Sequence, residues 1–207
     1  MALTCQNCGR QFTVPQHIRE RYPGWEPRLC ASCHAEAGSH REPSLFDSQS
    51  LLTLDEVLAT YTAGPTTGVF TDGSSVPNPG PGGWGAVYVV SDQILDQAHG
   101  HETFTTNNRM ELTALSSGID LVPEGTEITV YTDSNLAYRT FTEWAAGWEA
   151  RGWKRKSGPI QNLDLVRPIY EKLQVRPELT LKWIAAHSGY RWNEYADALA
   201  SMWLAEA

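Results

Sequence analysis

Along this chain the spacing of apolar positions changes period several times, and each change marks an element. Val69 and Phe70 run directly into Thr71-Asp72-Gly73-Ser74-Ser75, which predicts a strand after Gly68 that delivers a carboxylate into a turn of small residues. A Pro- and Gly-rich loop over 77–83 follows, then a second strand over 84–90 and, after a short polar break, a third over 94–101. Three adjacent antiparallel strands therefore open the domain. From 106 to 121 the period lengthens: Met110, Leu112, Leu115, Ile119 and Leu121 recur at helical spacing, and Pro123 and Gly125 end the run. The remaining pattern predicts a strand at 128–132, helices at 136–148 and 162–173, a fifth strand at 179–184 and a closing helix at 192–204. A meander followed by alternating helices and strands is an α/β arrangement, a five-stranded mixed sheet flanked by helices.

Upstream of Gly68 the pattern is different. Residues 35–50 are polar and contain Gly, Ser and Pro, as a linker does. Thr53-x-x-Glu56 then forms a capping box ahead of Leu54, Val57 and Leu58, so a short helix is expected before Gly64-Pro65. The expected organisation is a small module at 1–38, a linker with a short helix at 39–66 and a main domain at 67–207. A chain of 207 residues can bury one substantial core and still carry such an appendage.

All four cysteines fall in the appendage, as Cys5-x-x-Cys8 and Cys30-x-x-Cys33. Each pair aims two thiolates at one point, and two pairs complete a tetrahedral sulfur site suited to Zn²⁺. The spacer of 21 residues is slightly longer than usual, and His17 or His34 could replace one ligand. About 35 residues bury too little apolar surface to fold alone, so metal binding would carry much of the stability. The arrangement resembles a zinc ribbon, a module that binds nucleic acid or protein.

Composition changes the picture in two places. Hydrophobic residues make up 41% of the chain, with no run long enough to span a membrane and no signal-peptide pattern at Met1–Cys8, so a cytoplasmic, soluble monomer is expected. The net charge of −8 excludes a protein that coats nucleic acid by bulk electrostatics. Against that background, Arg151, Lys154, Arg155 and Lys156 beside Trp148 and Trp153 form one local basic and aromatic patch. Gly80-x-Gly82-x-x-Gly85 fits a dinucleotide-binding spacing, but it leads into a strand and offers a pyrophosphate no helix end.

The chemistry is carried by acids. Asp72 and Asp133 (Tyr131-Thr132-Asp133-Ser134) stand where core strands run out, while Glu111 (Asn107-Asn108-Arg109-Met110-Glu111-Leu112) and Asp197 (Ala196-Asp197-Ala198-Leu199) lie on helices beside inward-packing residues. Singly, each has an ordinary reading as a turn, cap or surface residue. Four carboxylates converging on one sheet end would repel strongly, and a divalent cation resolves that repulsion.

With these segments the stretch 68–201 resembles ribonuclease H, type 1, through Thr71-Asp72-Gly73-Ser74, Asn78-Pro79-Gly80-Pro81-Gly82-Gly83, the Glu111 and Asp133 segments, Gly152-Trp153-Lys154, Ala186-His187-Ser188-Gly189 and Asn193-Glu194-x-Ala196-Asp197. The resemblance implies an endonuclease that hydrolyses the RNA strand of RNA–DNA hybrids, leaving 5′-phosphate and 3′-hydroxyl ends. It implies two Mg²⁺ ions, with Mn²⁺ as a substitute, on Asp72, Glu111, Asp133 and Asp197, and a proton-handling or product-releasing role for His187. It also implies substrate contacts from Ser75, Asn78, Thr106, Asn107, Asn108, Trp148, Trp153, Lys154 and Asn162, with Trp144 in the same series. Glu149 and Ala150 depart from the family pattern, because they occupy positions where cations are expected. Two other functions are compatible with the fold: a non-catalytic hybrid-binding protein, and a DNA nuclease or integrase relative. The full set of acids argues against the first and the asparagines against the second.

Overall fold

The structure is a computed structural model that describes residues 2–14, 52–155 and 157–206. The chain forms two units, residues 1–50 and 51–207. In the first, β1 (Leu3–Thr4) and β2 (Gln11–Phe12) pair antiparallel. The turn between them is closed by Gly9 N donating to Cys5 O and Cys5 N donating to Arg10 O, both at 2.9 Å. Cys5 is buried and Cys8 exposed on this turn. Cys30, Cys33, His17 and His34 lie outside the described residues, as does Lys156 of the basic patch.

The larger unit begins with α1 (Leu54–Thr60), where the capping box forms: Thr53 N donates to Glu56 Oε2 at 2.8 Å and Glu56 N to Thr53 Oγ1 at 3.3 Å. Then come β3 (Gly68–Ser75), β4 (Gly80–Val90) and β5 (Gln93–Thr105), the expected meander. Next are α2 (Asn107–Asp120), β6 (Ile128–Thr132), α3 (Asn135–Arg139), a π-helical turn (Thr140–Trp144) and α4 (Ala145–Glu149). The chain closes with α5 (Leu163–Val175), β7 (Leu179–Trp183), α6 (Arg191–Ser201) and α7 (Trp203–Glu206). The five strands lie in the order β5-β4-β3-β6-β7, with β3, β6 and β7 parallel.

Three local expectations need correction. Residues 80–83 belong to β4, and Asp72 lies inside β3: Asp72 pairs with Gly85, Gly73 with Trp84, Ser74 with Gly83 and Ser75 with Gly82. Gly83, which read as part of the loop, and Gly85, already expected in the strand, both serve close packing. A Cβ on Gly85 would stand 2.5 Å from Ala196 O and one on Gly83 2.2 Å from Ala200 O, so their absence lets α6 lie directly on the strand. The single helix expected at 136–148 is interrupted by the π-helical turn between α3 and α4.

The sheet is packed on both faces. Val69, Leu115, Ile119, Val130 and Ile169 share one buried cluster, and Phe70, Val87, Val89, Trp192, Tyr195 and Leu199 the other. Val69 and Phe70 are neighbours in sequence, and the strand period of two sends them to opposite faces. Each such side chain contributes about 1.5–3 kcal/mol on burial.

Candidate active site

Thr71 and Thr132 are register partners on parallel β3 and β6, so the residues that follow them, Asp72 and Asp133, stand side by side. Glu111 reaches the same point from the first turns of α2. What admits it is Gly73: a Cβ there would lie 2.2 Å from Met110 C and 2.4 Å from Glu111 N, so any larger residue would push α2 off the strand. Ser134, not Asp133, caps α3, its Oγ accepting from Ala137 N at 3.3 Å. That leaves the Asp133 carboxylate free to turn inward. Oxygens of Asp72, Glu111 and Asp133 lie within 4.8 Å of one another.

The fourth acid is placed differently. Asp197 on α6 groups with His187 and Glu194, whose ligand atoms also lie within 4.8 Å of one another. The two groups adjoin, because the Asp197 charge acts on both Asp72 and Glu111. Glu194 and Asn193 were missed as site residues in the sequence, although their i,i+3 and i,i+4 spacing to Asp197 puts them on one helix face. Asn193 Nδ2 donates to Asp133 Oδ2 at 3.4 Å, and Glu194 Oε1 accepts from Gly189 N at 3.1 Å, tying the His187 loop to α6.

Electrostatics follow from this crowding. Burial, reinforced by the charges of Asp133 and Asp197, pushes Asp72 well above the usual carboxylate range. Burial and the neighbouring carboxylates do the same to Glu111. Asp133 and Asp197 are also raised, mainly by burial, while the nearby His187 pulls both down. Among the described residues, Glu111 Oε2 and Asp133 Oδ1 are buried without a hydrogen-bond partner. An anionic oxygen left so costs several kcal/mol unless a cation meets it. Hard oxygen donors, unpartnered and converging, fit Mg²⁺ or Mn²⁺.

The expected substrate residues separate into two places. Ser75 N donates to Asn107 Oδ1 at 2.7 Å, the single Ser75 Oγ hydrogen is shared between Asn107 Oδ1 at 2.9 Å and Asn78 Oδ1 at 3.3 Å, and Asn107 N donates to Asn78 Oδ1 at 3.4 Å. Both asparagines thus spend their carbonyls inside the network, which leaves the amide NH₂ groups as donors. Asn108, Trp148 and Asn162 instead line a cavity of about 340 Å³ together with Trp144, Arg155 and Gln161. Thr106 caps α2, accepting from Arg109 N at 3.3 Å. Trp153 packs edge-on against Tyr170 at 5.7 Å, and Lys154 is exposed.

Comparison with known proteins agrees with this geometry. The family model for RNase H matches residues 65–204. The chain is 41% identical over 139 residues to a ribonuclease H of Methylorubrum extorquens, covering 67% of this chain and 60% of that protein's length. It is 38% identical over 144 residues to ribonuclease HI of Caulobacter vibrioides, covering 69% and 95% of the two chains. Among solved structures it is similar to LC9-RNase H1, a type 1 RNase H with the type 2 active-site motif, with a TM-score of 0.54 and 31% identity over 68% of this chain and 74% of that one. A match spanning both strand-end acids, the Glu111 helix and the Asp197 helix leaves one assignment: this chain belongs to the RNase H family.

Proposed function

We propose that this ribonuclease H hydrolyses the RNA strand of RNA–DNA hybrids with two divalent cations held by Asp72, Glu111, Asp133 and Asp197. The observation that carries this reading is the pair of adjoining ligand groups, with two buried carboxylate oxygens, of Glu111 and Asp133, that have no donor among the described residues. Bound there, Mg²⁺ supplies an activated water and neutralises charge at the scissile phosphate, with Mn²⁺ able to take its place. The protein's own groups do the rest. In this reading His187, which is exposed on the loop between β7 and α6, moves a proton at the leaving 3′-oxygen or assists product departure. The amide donors of Asn78 and Asn107, held by Ser75, read the 2′-hydroxyls that distinguish RNA from DNA across the shallow minor groove. The cavity bounded by Trp144, Trp148, Asn108 and Asn162, with Arg155 at its wall, takes the DNA strand's backbone and sugars. Products carry 5′-phosphate and 3′-hydroxyl ends.

A panel of end-labelled RNA–DNA hybrid, duplex RNA and duplex DNA, each with and without Mg²⁺, tests this directly. Cleavage is expected only in the hybrid's RNA strand and only with the metal. Equal cutting of duplex DNA would overturn the role given to the asparagines.

The N-terminal unit is read as a zinc module with Cys5, Cys8, Cys30 and Cys33 as ligands; the hairpin that presents Cys5 and Cys8 supports it. Soft thiolates separate this metal from the catalytic pair. Elemental analysis after dialysis against Mg²⁺ is expected to find about one zinc per chain, and a ratio near zero under reducing conditions would remove the module from this class. Among the described residues no helix is long and apolar enough to cross a membrane.

A further inference from the structure

Residues 54–64 precede the stretch matched by the RNase H family, which starts at residue 65, yet they are built into the catalytic unit. Val57 of α1 is 2% exposed and shares a buried cluster with Trp192, Tyr195, Ala196 and Leu199 of α6. The segment after α1 then runs along the start of α6. Ala63 pairs with Tyr190 in a parallel bridge, Arg191 N donates to Ala63 O at 2.9 Å, and Arg191 Nε donates to Tyr61 O at 2.6 Å. Gly64 approaches so closely that a Cβ would lie 2.8 Å from Tyr190 Cβ, in a conformation (φ +101°) that side chains disfavour.

A helix N-terminus leaves its first N–H groups without intrahelical acceptors, and a Ser, Thr, Asp or Asn cap normally serves them. At α6 the capping position is Tyr190, which makes no side-chain capping bond. Ala63 O takes over for Arg191 N, so the 61–64 segment does what a cap would do. The other face of α6 carries Asn193, Glu194 and Asp197, and Glu194 in turn holds Gly189 of the His187 loop.

We propose that residues 54–64 act as a positioning clamp for the active site, with Arg191 as the positioning residue through which they fix the first turn of α6, and thereby Asp197 and the His187 loop. This rests on the two-cation reading above for its kinetic consequence. The mechanical part stands independently of it. Loosening the clamp shifts Asp197 and His187 relative to the strand-end acids while leaving the Ser75–Asn78–Asn107 network and the tryptophan-lined cavity untouched. Displacements of about 1 Å in such a constellation cost rates of up to about a hundredfold.

The test uses the full-length chain with Arg191→Ala, Arg191→Lys and, away from the salt link to Asp92, Gly64→Ala. For Arg191→Ala and Gly64→Ala, kcat on a short hybrid is expected to fall about tenfold with KM unchanged within about twofold, the pattern of an interaction lost in the transition state. Amides of 187–194 should exchange with solvent faster than in the wild type. Arg191→Lys, which keeps a donor for Tyr61 O, should recover most of kcat. A fall in melting temperature with unchanged kcat and unchanged exchange over 187–194 overturns the proposal and reduces the segment to packing. A rise in KM at constant kcat overturns it in favour of substrate binding. Absence of cleavage in the wild type would sink the two-cation reading instead, and hydrogen exchange would still decide the clamp.

Discussion

Asp72→Asn is expected to lower turnover of the hybrid by at least about three orders of magnitude, about 4 kcal/mol in the barrier, while leaving hybrid binding close to that of the wild type. The substitution keeps the shape of a side chain that is 7% exposed and paired in the middle of β3. What it removes is one anionic oxygen at the most crowded point of the site. Burial, then the charges of Asp133 and Asp197, raise Asp72, which groups with Glu111 and Asp133 beside the Asp197 group. An amide there would hold divalent cations less tightly and so weaken the charge neutralisation they would supply at the scissile phosphate. Binding should survive because Asp72 belongs neither to the Ser75–Asn78–Asn107 network nor to the lining of the tryptophan cavity. Measuring single-turnover cleavage and hybrid affinity on the same preparation decides the matter, and near-wild-type turnover of the variant in Mg²⁺ would eliminate Asp72 as a metal ligand.

How much of this site was legible beforehand depended on how local each determinant is. Asp72 and Asp133 could be placed together because apolar runs of strand period end at each of them, and the observed Thr71–Thr132 register does the rest. The helix of Glu111 was legible from its 3.6-residue period. The contact that seats it was not, because nothing in the one-dimensional pattern says that Gly73 faces the backbone of Met110 and Glu111. The same blindness turned Gly83 into a loop signal: a glycine marks a turn or a close approach, and only the packed helix α6 distinguishes the two. The π-helical turn at 140–144 was hidden because the apolar spacing of a helix continues across it and does not separate one helical hydrogen-bond pattern from another. Asp197 was assigned to one set of four acids, whereas the structure divides the ligands into two adjoining groups and adds Glu194 to the second. The activity itself was legible through resemblance over about two thirds of the chain, and the family match at 65–204 covers the same stretch.

Removing the metal should have two consequences, one on activity and one on stability. In EDTA cleavage is expected to stop, and added Mg²⁺ to restore it, because a cation held by few protein ligands and completed by water and phosphate exchanges readily. The stability effect takes its sign from the raised carboxylates. Asp72, Glu111, Asp133 and Asp197 all bind protons more tightly in the folded chain than the usual value of about 4 in an unfolded one. Below that value both states are protonated and the cluster costs nothing. As pH rises through the window up to the raised folded values, the unfolded state ionises first, so the metal-free protein loses stability with increasing pH. Glu56 and Glu178, lowered by hydrogen bonds from Thr53 and Arg176, act in the opposite direction, but they stand outside the cluster and their effect is present in every variant. The difference between Asp72→Asn and the wild type isolates the cluster. In EDTA the variant's melting temperature should equal the wild type's near pH 4 and exceed it by about 2–4 °C at pH 7, the shift that about 1 kcal/mol produces in a chain of this size. Mg²⁺ at pH 7 should close that gap by stabilising the wild type more than the variant. Cleavage that persists in chelator, or a melting gap that does not change with pH, would show that the buried carboxylates are not the charged, cation-seeking cluster that their convergence implies.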